Sequence, residues 1–247
     1  MLIDTHAHLN FNAFKNDFDE VIKRSLAEDI WMINVGSNYE TSKRALEIAE
    51  KYSGVFAAIG FHPIHAEDEN FDKEKYRELG CSDKVVAIGE IGLDYFKDYE
   101  LFKEKQKEVF LQQLDLTKEL NLPAIFHCRM AHEDLLEILK DYQISGVIHC
   151  FTGNLEQAKR YLDMGFYLGI NGIIYKRDLK KVIEKTPIEK ILIETDSPYL
   201  TPPQAGVERN EPVFIKYIVE EIAKIKGIDS QKVTEITFQN SKNLFRI

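Results

Sequence analysis

Residues 85–128, VVAIGEIGLDYFKDYELFKEKQKEVFLQQLDLTKELNLPAIFHC, contain the unit from which the fold is read. The stretch opens on VVAIGEIG (85–92), a near-continuous apolar run, and closes on another, LPAIFHC (122–128). Between them Phe102, Gln106, Val109, Phe110, Gln113, Leu114 and Thr117 recur three or four positions apart, the spacing of one helix face. Strands that are apolar on both faces and joined by helices belong to a parallel sheet covered on each side. The same alternation extends in both directions. LIDT (2–5), IWMINVG (30–36) and VFAAIGF (55–61) precede it, and GVIHCF (146–151), GFYLGI (165–170) and KILIETD (190–196) follow it. Eight such units within about 200 residues point to a closed (β/α)8 TIM barrel rather than an open sheet.

The tail from Pro212 to Ile247 reads as two further helices, the first ending at Gly227 and the second starting after Asp229 and Ser230. The expectation is therefore one α/β domain over residues 1–247, a TIM barrel with extra C-terminal helices. Composition agrees with a large core: 44% of residues are hydrophobic, with 15 Phe and 11 Tyr, which also argues against disorder. Cys81, Cys128 and Cys150 are odd in number and lack CxxC spacing, so they read as reduced thiols rather than a disulfide framework or a cysteine zinc site. No apolar run approaches the roughly 18 residues of a membrane helix, and Asp4, His6 and His8 break any signal-peptide core. The cytoplasm is the expected location, with no membrane and no obligate protein partner implied. A formal charge of −9 repels nucleic acid at long range, so an anionic substrate has to be held by a local site.

Polar residues fall where such a barrel keeps its chemistry. Side chains alternate along a strand, so Asp4, His6 and His8 share one side and are expected to face the barrel interior. Glu90, His127, His149 and Asp196 end the fourth, fifth, sixth and eighth apolar runs. Functional groups of TIM barrels sit at those strand ends, while apolar layers fill the rest of the interior. Four imidazoles (His6, His8, His127, His149) with two carboxylates (Glu90, Asp196) form a ligand set for two divalent ions, Mg2+, Mn2+ or Zn2+. Two such ions carry more positive charge than the two carboxylates return, which suits a phosphate in an otherwise acidic protein. A two-metal centre can activate water and clamp both oxygens of a displacement, so the chemistry implied is hydrolysis.

Taken in order, DTHAH (4–8), GFHP (60–63), GEIGLDY (89–95), FHCRMA (126–131), HCFTG (149–153), ETDSPYL (194–200) and RNEP (209–212) resemble the motifs of TatD-type metal-dependent deoxyribonucleases. The resemblance spans the chain. It implies a TIM barrel related to the amidohydrolases that cleaves DNA phosphodiester bonds, often as an exonuclease, with divalent metal. Carried over residue by residue, it makes His6, His8 and Asp196 ligands of one ion, His127 and His149 ligands of the other, and Glu90 the bridge between them.

Asp196 is the expected group to hold the attacking water and take its proton, with Glu90 as the second catalytic carboxylate. Asp4 and Glu194 are read as hydrogen-bonding supports for the ligand histidines, against an internal ion pair for Glu194. His62, Arg129 and Tyr95 are the candidate substrate contacts: His62 to a phosphate or to metal-bound water, set against a hydrogen-bonded histidine of the mouth, Arg129 as a phosphate fork set against a salt bridge to a loop acid, and Tyr95, with Phe96, Phe151 and Tyr199, as a base-stacking ring set against loop packing. Asn210 is read as the cap of the helix that Pro212 begins, and Cys128 and Cys150 as fillers between barrel and helices. His65 and His132 carry no expected ligand role. The leading functional expectation is a deoxyribonuclease that favours DNA ends or single strands. A metal-dependent amide or ester hydrolase, for example of D-aminoacyl-tRNA, is the rival, and a scaffold with a structural metal is the non-enzymatic alternative.

Overall fold

A computed structural model describes all of residues 1–247. Eight parallel strands follow one another around a single sheet in chain order: β1 (Leu2–Ala7), β2 (Ile30–Val35), β3 (Val55–Ile59), β4 (Val85–Asp94), β5 (Ala124–Arg129), β6 (Gly146–Ile148), β7 (Tyr167–Ile170) and β8 (Ile191–Ile193). All eight apolar runs are strands, as the alternation requires. The outer layer is α1 (Phe18–Ala27), α2 (Tyr39–Ala49), α3 (Lys73–Leu79), α4 (Lys103–Leu120), α5 (His132–Leu139), α6 (Leu155–Asp163), α7 (Lys180–Lys185), α8 (Ile215–Lys226) and α9 (Ser230–Phe245). No helix is long and apolar enough to cross a membrane.

The seam between the first and last strands closes at its upper end. The Asp196 amide donates to the His6 carbonyl and the His8 amide to the Ser197 carbonyl, each at 2.8 Å. The Thr5 hydroxyl adds a bond to the Ile193 carbonyl at 3.1 Å. Barrel closure and the placement of three candidate ligands are therefore one event. Inside, Ile33, Ala58, Val86, Ile125, Val147 and Leu192 form one apolar cluster contributed by six strands. Leu244 and Phe245, at the end of α9, join it from the N-terminal end of the strands. That placement is held by Asn240, which donates to the Ile188 and Ile191 carbonyls at 2.8 Å, and by Arg246, which donates to the Asn121 carbonyl. The extra helix thus plugs the bottom of the barrel and leaves polar side chains to the top.

The tail helices end and begin where their sequence signals stand. Gly227 closes α8 in the left-handed region (φ 65°), and the Asp229 carboxylate accepts from the Gln231 amide at the start of α9. Asn210 differs from expectation. Pro212–Phe214 form a 3-10 turn whose cap position is Glu211, and the Asn210 amide instead donates to the Thr195 and Tyr199 carbonyls. It ties down the loop that carries Asp196.

Candidate metal centre

The mouth residues extend the columns of the interior. Ile125 and His127, Val147 and His149, and Leu192 and Glu194 are pairs two positions apart, so each apolar side chain in the core has a polar one above it on the same face. His6, His8 and Asp196, brought together at the seam, point into the same space. His6 Nε2 lies 3.1 Å from His8 Nε2 and 3.9 Å from Asp196 Oδ1, and His8 Nε2 lies 3.5 Å from that oxygen. Glu90 sits between two groups of imidazoles. Its Oε2 faces His6 at 3.3 Å and His8 at 3.9 Å, while Oε1 faces His127 Nδ1 at 2.7 Å and His149 Nε2 at 3.2 Å. The structure therefore gathers all six expected donors, with one carboxylate oxygen turned to each pair of histidines. His149 also stacks on His6, with ring centroids 3.7 Å apart, so the two halves adjoin.

Three of the four imidazoles are oriented from behind. His8 Nδ1 donates to the Val35 carbonyl at 2.9 Å, His149 Nδ1 to Glu194 at 3.0 Å and His127 Nε2 to Asp94 at 3.0 Å. Each bond fixes a proton on the outer nitrogen and turns the inner nitrogen toward Glu90 or Asp196, where a cation would take the place of the proton that those carboxylates otherwise attract. The chemistry of this donor set fits divalent cations: buried lone pairs converge in triads of His6, His149 and Asp196 and of His6, His8 and Glu90, all within 4.8 Å of one another. Two Nε2 atoms 3.1 Å apart need either a proton between them or a shared cation.

His62 is of another kind. Its Nδ1 accepts from the Ile64 amide at 3.2 Å, so the nitrogen that faces Glu90 Oε1 at 3.4 Å carries the proton. Although His62 lies within ligand distance of Glu90 and His127, this tautomer donates rather than ligates. Burial pushes its pKa down to about 4, which keeps it neutral.

Burial works against every charge in the cluster; attraction between partners overcomes it at Glu90, Asp196, His8, His127 and His149, but not at His6, which burial and the neighbouring His149 hold below its ordinary value. Burial would raise Glu90, but His149, His62 and His6 outweigh it and hold this carboxyl well below the ordinary range. The same contest leaves Asp196 depressed, through His8 and His149, and His149 well above its ordinary value, through Glu194 and Glu90. Asp4 goes the other way, raised by burial to about 7. It accepts from the Thr195 amide and hydroxyl and from the His6 amide, so it supports His6 through the backbone rather than through the ring.

Other expected residues divide. Arg129 is exposed, stacks its guanidinium 3.6 Å above the Phe96 ring and lines the mouth without a carboxylate partner. Tyr199 is 54% exposed and borders the same cavity. Tyr95 does not reach it. β4 runs to Asp94, so the next side chain turns outward, and the Tyr95 hydroxyl donates to Asp134 at 2.9 Å. Phe151 is buried against His132 and Tyr161. Cys128 packs in the barrel-helix layer as expected. Cys150 does not: β6 ends at Ile148, so strand alternation no longer applies, and a left-handed turn (φ 44°) brings the thiol to the mouth, 3.6 Å from Asn171.

Several supporting groups escaped the reading of the sequence. Asp94 is four positions past Glu90 and on its face, a signal that was available. Gly92 between them adopts φ +145°, and a Cβ there would stand 2.0 Å from the His127 carbonyl, so only glycine lets the two strands approach at this level. Asn171, just past β7, donates to Glu194 at 2.9 Å, and the Cys150 amide donates to the same oxygen at 2.8 Å. From α4, Gln113 pairs with the amide and carbonyl of Phe61 (2.8 and 3.0 Å) and Gln106 with those of Asp94 (2.9 and 2.8 Å). These two glutamines clamp the backbone that leads into His62 and the carboxylate behind His127.

A family model described as TatD related DNase matches residues 3–246. A Bacillus subtilis protein described as the uncharacterized metal-dependent hydrolase YabD is 44% identical over the full length of both chains. The 3'-5' ssDNA/RNA exonuclease TatD of Salmonella typhimurium is 34% identical over all of this chain and 99% of that one. Among solved structures, the TatD homolog YJJV of Escherichia coli K12 superposes with a TM-score of 0.93 at 30% identity, over 100% of this chain and 98% of that one.

Proposed function

Since the chain belongs to the TatD related DNase family, we propose that it is a nuclease that hydrolyses DNA phosphodiester bonds at ends or in single strands, using two divalent cations. At the coarser level it is a metal-dependent hydrolase of that family. The observation that carries the proposal is Glu90: its two oxygens serve two sets of imidazoles, the arrangement of a carboxylate that bridges a pair of ions. His6, His8 and Asp196 would hold one cation and His127 and His149 the other. Bound there, Mg2+, Mn2+ or Zn2+ would polarise a phosphoryl oxygen and lower the pKa of nearby water.

The chain's own groups do the rest. Asp196 is kept ionised by the facing histidines and holds the attacking water, whose proton it accepts. The His62 Nε2 proton and the Arg129 guanidinium donate to the non-bridging phosphate oxygens. Asp94 and Glu194 hold the inner nitrogens of His127 and His149 toward the centre. A mouth cavity of about 340 Å3 admits one strand rather than a duplex, and the exposed Tyr199 ring offers a stacking surface.

The test is chelated protein reconstituted with each of the three cations and given 3'- or 5'-labelled single- and double-stranded DNA, beside amide and ester substrates. Stepwise nucleotide release that Asp196→Asn reduces at least a hundredfold supports the proposal. Turnover of carbonyl substrates alone refutes it.

A further inference from the structure

A second cavity, about 300 Å3, opens beside the metal-side one and shares His127, Arg129, His149, Asp196 and Tyr199 with it. Its remaining wall is chemically distinct. Arg177 and Thr152 supply polar groups, and Ile173 and Leu200 an apolar surface. Arg177 stands in the turn between the 3-10 helix Gly172–Tyr175 and α7, held by a backbone bond to the Ile173 carbonyl at 2.9 Å. Its guanidinium has no ion-pair partner in the chain. Of the eight arginines, Arg24, Arg77, Arg160 and Arg209 are bound to carboxylates. Two of the four that are not, Arg129 and Arg177, line this one cavity.

Two guanidinium groups without carboxylate partners are unusual on an acidic protein, and they line a cavity whose only carboxylate, Asp196, is turned to His8. They match an anion with several acceptor oxygens. Around Arg177, Lys176, Lys180 and Lys181 are set against a single carboxylate, Asp178, so this edge of the mouth is locally cationic on a chain of net charge −9. An anion site walled on one side by Ile173, Leu200 and the exposed Tyr199 ring fits a phosphate that carries an apolar, planar group. A volume at the small end of ligand pockets limits that group to about one nucleotide.

Resting on the nuclease proposal, we infer that this cavity is a subsite for the nucleotide that adjoins the scissile bond, with Arg177 as the specificity-determining contact to its phosphate. Arg129 stands between the two cavities and contacts the scissile phosphate on one side and this neighbour on the other. The enzyme therefore recognises two consecutive phosphates and prefers an oligonucleotide to a single phosphodiester.

The measurement is kcat/KM for a thymidylate trimer, with two phosphodiesters, relative to a dimer with one. The wild-type ratio exceeds one, and Arg177→Ala lowers it on the order of tenfold while Arg177→Lys restores part of it. Binding of fluorescein-labelled trimer loses about 0.7 from its salt slope in Arg177→Ala, the share of one single-strand phosphate. Lys224→Ala, which removes an exposed cation of α8, keeps the wild-type ratio. Equal losses on dimer and trimer in Arg177→Ala, or no loss, overturn the subsite. Should the wild type cleave neither, the nuclease proposal falls and the labelled trimer decides: weakened binding in Arg177→Ala supports the subsite, unchanged binding rejects it.

Discussion

Asp94→Asn exposes how much of the centre rests on one proton. In the wild type, Asp94 Oδ1 accepts from the Phe96 amide at 2.9 Å and Oδ2 from His127 Nε2 at 3.0 Å. Asparagine has the same shape but only one acceptor. If that acceptor stays on Phe96, the new amide donates to Nε2, the one proton of neutral His127 sits on Nδ1, and the nitrogen 2.7 Å from Glu90 Oε1 offers no lone pair to a cation. If the amide flips, two buried donors face each other at Phe96, at a cost of about 1 to 3 kcal/mol. The first arrangement is the cheaper. Replacing such an orienting partner weakens metal binding or activity about 10- to 100-fold, or roughly 1.4 to 2.7 kcal/mol. Calorimetric titration with Mn2+ should show that loss, and nitrogen NMR of His127 should show the proton on Nδ1. An affinity within about threefold of wild type, with the proton still on Nε2, would refute the orienting role.

Two further outcomes follow from burial and from binding. His132 is buried with Nε2 unpartnered, and burial lowers its pKa to about 4. The unfolded chain therefore takes up more protons between pH 6.5 and 4, so this histidine costs no stability above about 6.5 and an increasing amount below it. Metal-free wild type should lose about 2 kcal/mol more than His132→Gln between pH 7 and 5 in urea unfolding, and equal losses would contradict the assignment. Chelation should lower Tm by about 5 to 10 °C for each cation removed, relative to protein held at a hundredfold excess of cation over Kd, whereas an unchanged Tm would show that no cation binds the folded state preferentially.

Much of this was legible because the barrel imposes simple rules. Near-continuous apolar runs such as VVAIGEIG can sit only in a sheet covered on both faces. His6, His8, His127 and His149 stand out because an imidazole on an inward face has no apolar justification. What escaped has a common cause, namely contacts that join distant segments or parity set by strand length. The fourth strand extends to Asp94, beyond the apolar run read from the sequence, so Tyr95 faces α5 and Asp94 faces His127. The sixth strand stops short, which turns Cys150 to the mouth. Gln106 and Gln113 lie on the buried stripe of α4, yet their partners are 12 and 52 residues away, a pairing that no local pattern announces.

The central claim is that Glu90 lies between two cations at the closed end of the barrel seam. Anomalous diffraction from a crystal grown with Mn2+ addresses it most directly. Two peaks are expected, one beside Glu90 Oε2 with His6, His8 and Asp196, the other beside Oε1 with His127 and His149. A cluster without anomalous density, or density only at surface carboxylates, would contradict it.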